Sequence, residues 1–280
     1  MLSWYYEWIQ QLLPFVWINY TFMQNALLAV ILVTPLFGIL GTMIVNNKMA
    51  FFSDAIGHSA LTGIAIGVLL GFNDPLWAML IFAVILAVGI TTVKAKTASS
   101  PDTIIGVFSA SAVALGIVIL SRGGGFTKYS RFLIGDLLSI TPGQITLLII
   151  VFALVIALWM VMFNRLLLVS VNPSLARSRG FNVRAIEMIF GVIMAVIVTI
   201  SIQWVGILII NSLLILPAAA ARNLAGNVRQ YHVFSILIAL AAGIAGLILS
   251  YYWGTATGAT IVLCAAVLFV VSVLLRFKNA

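Results

Sequence analysis

The chain has 280 residues, of which 64% are hydrophobic and only 7% are charged. Soluble globular domains carry about 25% charged residues and about 45–50% apolar ones, so a soluble fold of this length has no means of burying so much apolar surface. A membrane-spanning helix needs roughly 20 apolar residues. The composition therefore predicts an all-α, polytopic transmembrane helix bundle that forms a single domain over residues 1–280.

Nine apolar runs follow one another along the chain, and short polar connections separate them. They lie at about 20–45, 54–72, 75–93, 103–121, 143–163, 185–203, 205–221, 233–252 and 257–275. We therefore predict about nine spanning helices. Residues 1–19 precede these runs and are rich in Trp and Tyr, which is typical of an interfacial segment. Residues 130–141 are too short to span and are expected to form a small helix at the outer face.

The net charge is +8, and its distribution predicts the orientation of the chain. When the connection at 94–101 is placed in the cytoplasm, that side carries 11 of the 14 Lys and Arg residues, and the other side carries Arg122, Lys128 and Arg131. Cytoplasmic connections accumulate Lys and Arg, so we predict an outside N-terminus and a cytoplasmic C-terminus. Topology explains the positive charge, and we expect membrane lipid but no nucleic acid as a partner.

An acid and an imidazole occur together at the start of the second apolar run. Asp54 and His58 are four residues apart, so on a helix they share one face, with Cβ atoms about 5–6 Å apart. Both are suitable ligands for zinc, and for manganese when more oxygen is present. Two ligands bind weakly, but a symmetric dimer brings two pairs together. The spacing leaves open a second interpretation, in which Asp54 caps the helix and His58 is a satisfied polar residue.

The segment 172–184 is the longest connection on the predicted cytoplasmic side. Asn172 can cap a helix with Pro173 at its first position, and Gly180 can end it. The sequence therefore predicts a short amphipathic helix there. Its stretch 175–180 is either a docking helix for a cytoplasmic partner or an interfacial helix whose arginines meet anionic lipid.

The other polar residues near the apolar runs favour structural roles. We expect His232 to be a surface residue of a basic loop, Glu187 to pair with Arg184 at i,i+3, and Asn211 to bond a neighbouring helix. The chain has no ATP-binding loop, and its two histidines exclude a three-histidine zinc enzyme. We therefore expect no enzyme activity in this chain.

Several motifs in sequence order resemble the permease subunits of bacterial zinc and manganese ABC importers. The most specific is 49–63, which contains Asp54 and His58. The others lie at 102–106, 114–116, 132–138, 205–222 and 261–266. Two positions depart from the pattern of that family. Thr62 stands where proline is common, and Ser111 stands where some zinc-type members have histidine, which leaves the metal open between zinc and manganese.

The resemblance implies a homodimeric permease of the bacterial cytoplasmic (inner) membrane, which imports Zn²⁺ or Mn²⁺ by alternating access. It also implies two cytoplasmic ATP-binding subunits that hydrolyse ATP, an extracytoplasmic metal-binding protein and no permanently bound cofactor. Asp54 and His58 match the metal-coordinating pair of the family. The residues that match its ATPase-coupling segment are Leu175, Ala176, Arg177 and Gly180.

Two alternatives remain at this point. One is a secondary transporter or channel for a divalent cation that needs no ATPase partner, and the other is an intramembrane enzyme. The depth of the metal pair is also open. The predicted topology puts Asp54 near the cytoplasmic end of its run, whereas transport sites lie near the middle of the bilayer. A re-entrant or broken segment at 46–53 would reconcile the two.

Overall fold

The structure is a computed structural model that describes residues 3–12, 15–72, 74–123 and 137–279. Within these ranges the regular structure is helical. The helices are α1 (Ser3–Leu12), α2 (Thr21–Asn46), α3 (Ala50–Leu69), α4 (Leu76–Lys96), α5 (Pro101–Gly123), α6 (Pro142–Val171), α7 (Pro173–Ser178), α8 (Val183–Val205), α9 (Ile207–Leu224), α10 (Val228–Trp253) and α11 (Thr257–Asn279). Two short 3-10 helices lie at Val16–Asn19 and Leu137–Ser139.

Each of the nine apolar runs forms one helix, from α2 to α6 and from α8 to α11. Among the described residues, 8 helices are long and apolar enough to cross a membrane, and α9 is not counted with them. The prediction of about nine spans is therefore close. Of the small helix expected at 130–141, the part up to 136 lies outside the described residues, and Leu137–Ser139 form the second 3-10 helix.

The chain divides into two compact units. The first comprises Met1–Thr42, Asp136–Trp159 and Ser212–Ala280, and the second comprises Met43–Gly135 and Met160–Asn211. The expectation of one permease domain over 1–280 stays a prediction.

In the first unit, small residues allow the helices to approach closely. Gly246 of α10 faces α11 at a point where an added Cβ would lie only 2.4 Å from the Ile261 Cα. Gly38 of α2 faces α10, and the Ser235 hydroxyl donates a hydrogen bond of 2.7 Å to the Gly38 carbonyl oxygen. Glycine is therefore required at both crossings, since any side chain would push the helices apart.

Helix α1 is fixed to the start of α2 by side-chain hydrogen bonds. The Tyr6 hydroxyl donates to Asn25 Oδ1 at 2.7 Å, and the Tyr5 hydroxyl donates to the Gln24 carbonyl oxygen at 3.1 Å. Trp4 and Trp8 stack on each other with ring centroids 6.2 Å apart, and both are exposed. Exposed indoles on a fixed helix are typical of a membrane interface.

In the second unit, α3 packs against α4, α5 and α8. Gly63 of α3 contacts the backbone of α4 at Met79, and the Thr62 hydroxyl donates to the Ala112 carbonyl oxygen of α5. On the third side, Gly191 of α8 lies beside the ring of Phe52. These contacts surround α3 and fix its rotation about its own axis.

An ion pair joins α4 to α8. Lys94 Nζ lies 3.4 Å from Glu187 Oε1, and both side chains are largely buried. The expected pairing of Glu187 with Arg184 is therefore wrong. Arg184 is exposed, where water weakens an ion pair, whereas Lys94 lies against α8 where the pair is less screened.

Candidate metal site and coupling segment

Asp54 lies inside α3 and does not cap it. The helix begins at Ala50, and its N-cap is Met49, which makes no side-chain capping bond. At 1.5 Å per residue, Asp54 is about 6 Å and His58 about 12 Å from the first residue of a helix about 30 Å long. The cap interpretation is therefore wrong. The helical structure is interrupted only at 47–49, between α2 and α3. The break expected at 46–53, which would place the pair deeper in the membrane, is therefore limited to these three residues.

The two residues occupy the one uncovered stripe of α3. Between residues 52 and 65, every side chain is buried except those of Asp54, His58 and Leu61. Their spacing of four and three residues places them on a single helix face. The Asp54 side chain is 37% exposed and the His58 side chain is 33% exposed. Packing on all other sides thus presents one carboxylate and one imidazole on an open strip of an otherwise buried helix.

The two side chains of the pair are in direct contact. His58 Nε2 lies 3.4 Å from Asp54 Oδ1, the distance of an ion pair when His58 is protonated. Zinc binds such atoms at about 2.0–2.2 Å, and at a tetrahedral angle two ligands of one ion also lie about 3.4 Å apart. The separation is therefore compatible with two ligands of one ion as well as with an ion pair. It is incomplete on its own, because the described residues contain no group of three or more His, Cys, Asp and Glu side chains that could hold a metal.

A hydrogen bond from α9 holds the first turn of α3. The Ser53 hydroxyl donates to Asn211 Oδ1 at 2.6 Å, and Ser53 is buried. The expectation that Asn211 bonds a neighbouring helix is confirmed. Its partner is the residue directly before Asp54, so Asn211 helps to fix the backbone that carries the carboxylate. The sequence did not indicate this role, because nothing local links residues 53 and 211.

The segment 172–184 forms the capped short helix that the sequence predicts. Asn172 Oδ1 accepts a hydrogen bond of 3.0 Å from the Leu175 backbone N–H, and Pro173 is the first residue of α7. Gly180 follows α7 with a φ of +80°, a conformation that favours glycine. The Phe181 N–H donates to the Ala176 carbonyl oxygen at 3.0 Å and closes the turn.

Helix α7 has an inner and an outer face. Ala176 is fully buried, whereas Leu175 and Arg177 are exposed. After the turn at Gly180, the Asn182 side chain accepts a hydrogen bond of 3.1 Å from the Ala185 N–H and caps α8. The Gly180 turn and the Asn182 cap thus join α7 directly to α8, which in turn contacts α3.

The second histidine lies apart from the metal pair along the chain and has a structural environment. His232 is in the second turn of α10, with Nε2 3.1 Å from Thr42 Oγ1 and its ring 6.0 Å from that of Trp159. The expectation of a loop is wrong, because His232 lies in a helix, and the residue is half-buried rather than fully on the surface. Helix α10 begins at Val228, before the apolar run, so residues assigned to a polar loop form its first turns.

These features define a polytopic helical membrane protein with an ionisable pair on an open helix face. Residues 19–276 match the family model described as the ABC 3 transport family. The chain belongs to this family, and it is a multi-pass protein of the cell membrane.

Relatives match over almost their whole length. The chain is 35% identical over 256 residues to the high-affinity zinc uptake system membrane protein ZnuB of Haemophilus influenzae, covering 90% of this chain and 96% of that protein. It is 30% identical over 261 residues to the manganese import system permease protein ScaB of Streptococcus gordonii, covering 93% and 94%. Among solved structures, PsaBC from Streptococcus pneumoniae in complex with Fab matches with a TM-score of 0.79 and 29% identity, covering 97% of this chain and 95% of that chain.

Proposed function

We propose that this chain is the membrane-spanning permease subunit of an ATP-driven importer for a divalent transition metal, Zn²⁺ or Mn²⁺. Membership of the ABC 3 transport family supports this proposal, and so do the names of the zinc and manganese relatives. The observation that carries it is the pair Asp54 and His58, which lies on the one open stripe of α3.

The chemistry of the pair suits a transition metal. The Asp54 carboxylate supplies charge and an oxygen ligand, which any divalent cation accepts. The His58 nitrogen favours zinc and manganese over calcium and magnesium, which prefer oxygen. A carboxylate within a membrane costs several kcal/mol by insertion estimates, and His58 compensates the charge of Asp54 only when it is protonated. A passing cation therefore also offsets the cost of keeping Asp54. Partial exposure of both side chains leaves the ion a route of release, as transport requires.

A homodimer would complete the site. One chain supplies two ligands, whereas zinc takes four. A twofold axis beside the open stripe would place Asp54 and His58 of a second copy opposite the first pair. It would also cover a strip that one chain leaves bare.

ATP-binding subunits would act through α7. The sequence has no ATP-binding loop, so we place ATP hydrolysis in two separate cytoplasmic subunits. The residues that would contact or position them are Leu175, Ala176, Arg177 and Gly180. Movement of α7 would pass through the Asn182 cap to α8, whose Gly191 lies beside Phe52 in the first turn of α3. An extracytoplasmic metal-binding protein would deliver the ion to the outer side.

Reconstituted transport tests this function. The permease is placed in vesicles with its ATP-binding subunit and metal-binding protein, and ATP-dependent accumulation of Zn²⁺ and Mn²⁺ is measured. Asp54→Asn keeps the size and polarity of the side chain but removes its charge, and His58→Ala removes the nitrogen ligand. Both are expected to reduce uptake to background while the protein still inserts and dimerises.

Matched control substitutions show whether a loss of metal uptake is specific to Asp54 and His58 or follows from the loss of any similar side chain. Asp102→Asn removes an exposed carboxylate from the first turn of α5, and His232→Gln removes the other histidine. Both variants are expected to transport normally. Uptake that needs no ATP would instead support a secondary transporter or channel, and near-normal uptake by Asp54→Asn would exclude the metal-site assignment.

A further inference from the structure

A pocket with basic side chains lies where α6 meets the segment that follows α7. Its volume is about 400 Å³, and its lining includes Asn164 and Arg165 of α6 together with Arg179 and Phe181. The Arg165 guanidinium carbon lies 5.9 Å from the centre of the Phe181 ring, a distance at which cation and ring attract each other. The ring thus holds one arginine in place at the edge of the pocket.

Arg165 and Arg179 place two positive charges beside the apolar side chains that line the pocket. Arginine stays charged at any physiological pH. The ion pairs between described residues are Asp54 with His58 and Lys94 with Glu187, so neither pocket arginine has a carboxylate partner in the described part of the chain. The rest of the lining is apolar and belongs to the last turns of α6. Such a pocket suits an anion that carries an apolar portion.

The position of the pocket along α6 places it at the headgroup level of a bilayer. The apolar run at 143–163 is about 31 Å long as a helix, which is the thickness of the hydrocarbon core. Asn164 and Arg165 are the first polar residues beyond it. One turn towards the core, Met160 and Val161 are 70% and 67% exposed, so an apolar track leads from the pocket into the core.

We propose that this pocket binds an anionic phospholipid of the cytoplasmic leaflet. Arg165 and Arg179 hold its headgroup phosphate by charge-assisted hydrogen bonds, and an acyl chain lies along Val161. Basic pockets at the cytoplasmic ends of transmembrane helices bind such headgroups in general. Because Arg179 directly precedes Gly180, the lipid also anchors the base of the proposed docking segment to the membrane. The proposed lipid site requires the predicted orientation, in which the C-terminal end of α6 is cytoplasmic. It does not require that the protein transports a metal.

Native mass spectrometry of the purified full-length chain tests the site without any transport assay. The protein is taken from nanodiscs that contain phosphatidylcholine and phosphatidylglycerol in equal amounts, and the phospholipids that stay bound are identified and titrated. The wild type is expected to retain one phosphatidylglycerol per chain in preference to phosphatidylcholine. The double variant Arg165→Gln/Arg179→Gln is expected to bind it at least tenfold more weakly. Arg165→Lys keeps the charge but loses the planar fork, and it should fall between the two.

Control variants show whether a loss of phosphatidylglycerol binding is specific to this pocket. Arg184→Gln and Arg229→Gln remove exposed arginines that do not line the pocket, and both should retain phosphatidylglycerol as the wild type does. Circular dichroism melting shows whether each variant is folded. Equal retention by the wild type and the folded double variant would overturn the proposal. So would displacement of the lipid by low millimolar inorganic phosphate, which would indicate a free-anion site. The variant Asn164→Cys, in a chain whose Cys264 is replaced by Ser, puts a thiol in the pocket lining and keeps both arginines. Protection of this thiol by the ATP-binding subunit, but not by phosphatidylglycerol, would assign the pocket to protein contact and overturn the proposal as well.

Discussion

Gly180 offers a quantitative test of the proposed coupling segment, residues 172–184. Its φ is +80°, and an added Cβ would meet no atom within 4 Å. A side chain there therefore costs only backbone strain, which is about 1–2 kcal/mol for an L-residue in the left-handed region. That energy lowers the population of the native turn relative to alternatives by a factor of about 5–30. Gly180→Val, with a β-branched side chain, should lie at the upper end of this range.

The expected consequence is uncoupling, because the turn at Gly180 sets the position of α7 relative to α8. In vesicles that contain the ATP-binding subunit, Gly180→Val should still support ATP hydrolysis but should move less metal per phosphate released, with about 30-fold as the upper bound on the loss. Gly180→Asn should retain most of the coupling, since asparagine tolerates the left-handed conformation. The assay is a paired measurement of metal accumulation and phosphate release in the same vesicles.

Gly254 provides a matched control for strain alone. It ends α10 with a φ of +64° and also has no atom within 4 Å of an added Cβ. Gly254→Val should therefore lower stability by a similar amount without changing the metal moved per ATP. Unchanged coupling in Gly180→Val, together with unchanged coupling in an Ala176→Leu variant that overfills the buried face of α7, would refute the assignment of this segment to ATPase docking.

Three further predictions concern orientation and packing. The variant Lys278→Cys, in a chain whose Cys264 is replaced by Ser, should not react with an impermeant maleimide added outside intact cells. Labelling would show that the C-terminus lies outside and that the predicted topology is wrong. Double-mutant cycles, measured by thermal melting, test the ion pair between Lys94 and Glu187. The cycle of Lys94→Met and Glu187→Gln should give a coupling energy of about 0.5–1 kcal/mol, and the cycle of Arg184→Gln and Glu187→Gln should give none. Gly246→Ala should destabilise by about 1–3 kcal/mol because its Cβ would overlap the α11 backbone, whereas Gly106→Ala, with open space around the added Cβ, should leave the melting temperature unchanged or raise it.

The sequence predicts most of the helices, because each apolar run is long enough to mark one. It does not predict where the helices end. Hydropathy reports the part of a helix that lipid surrounds, and a helix continues into water as long as its backbone bonds are made. Helix α6 therefore extends to Val171, well past the apolar run that ends at 163, and α10 begins before its run. The error about His232 has this cause.

Local chemistry was predictable and tertiary partners were not. The cap at Asn172 and the turn at Gly180 depend on neighbouring residues, so the sequence alone indicates both. The spacing of Asp54 and His58 places them on one face, but it does not tell a metal pair from a helix cap. The start of α3 at Ala50 excludes the helix cap, and the metal pair stays a prediction. The partners of Glu187 and Asn211 depend on which helices are neighbours, and that information is absent from any local pattern.

Equilibrium binding of metal to the purified permease, in its proposed homodimeric form, examines the pair Asp54 and His58 without the partner subunits. The titration uses Zn²⁺ and Mn²⁺ with the wild type, Asp54→Asn and the control Asp102→Asn, each folded and dimeric. The wild type and the control should bind one ion per dimer, and Asp54→Asn should lose that site. Binding of equal affinity and stoichiometry by Asp54→Asn would contradict the assignment of Asp54 as a metal ligand.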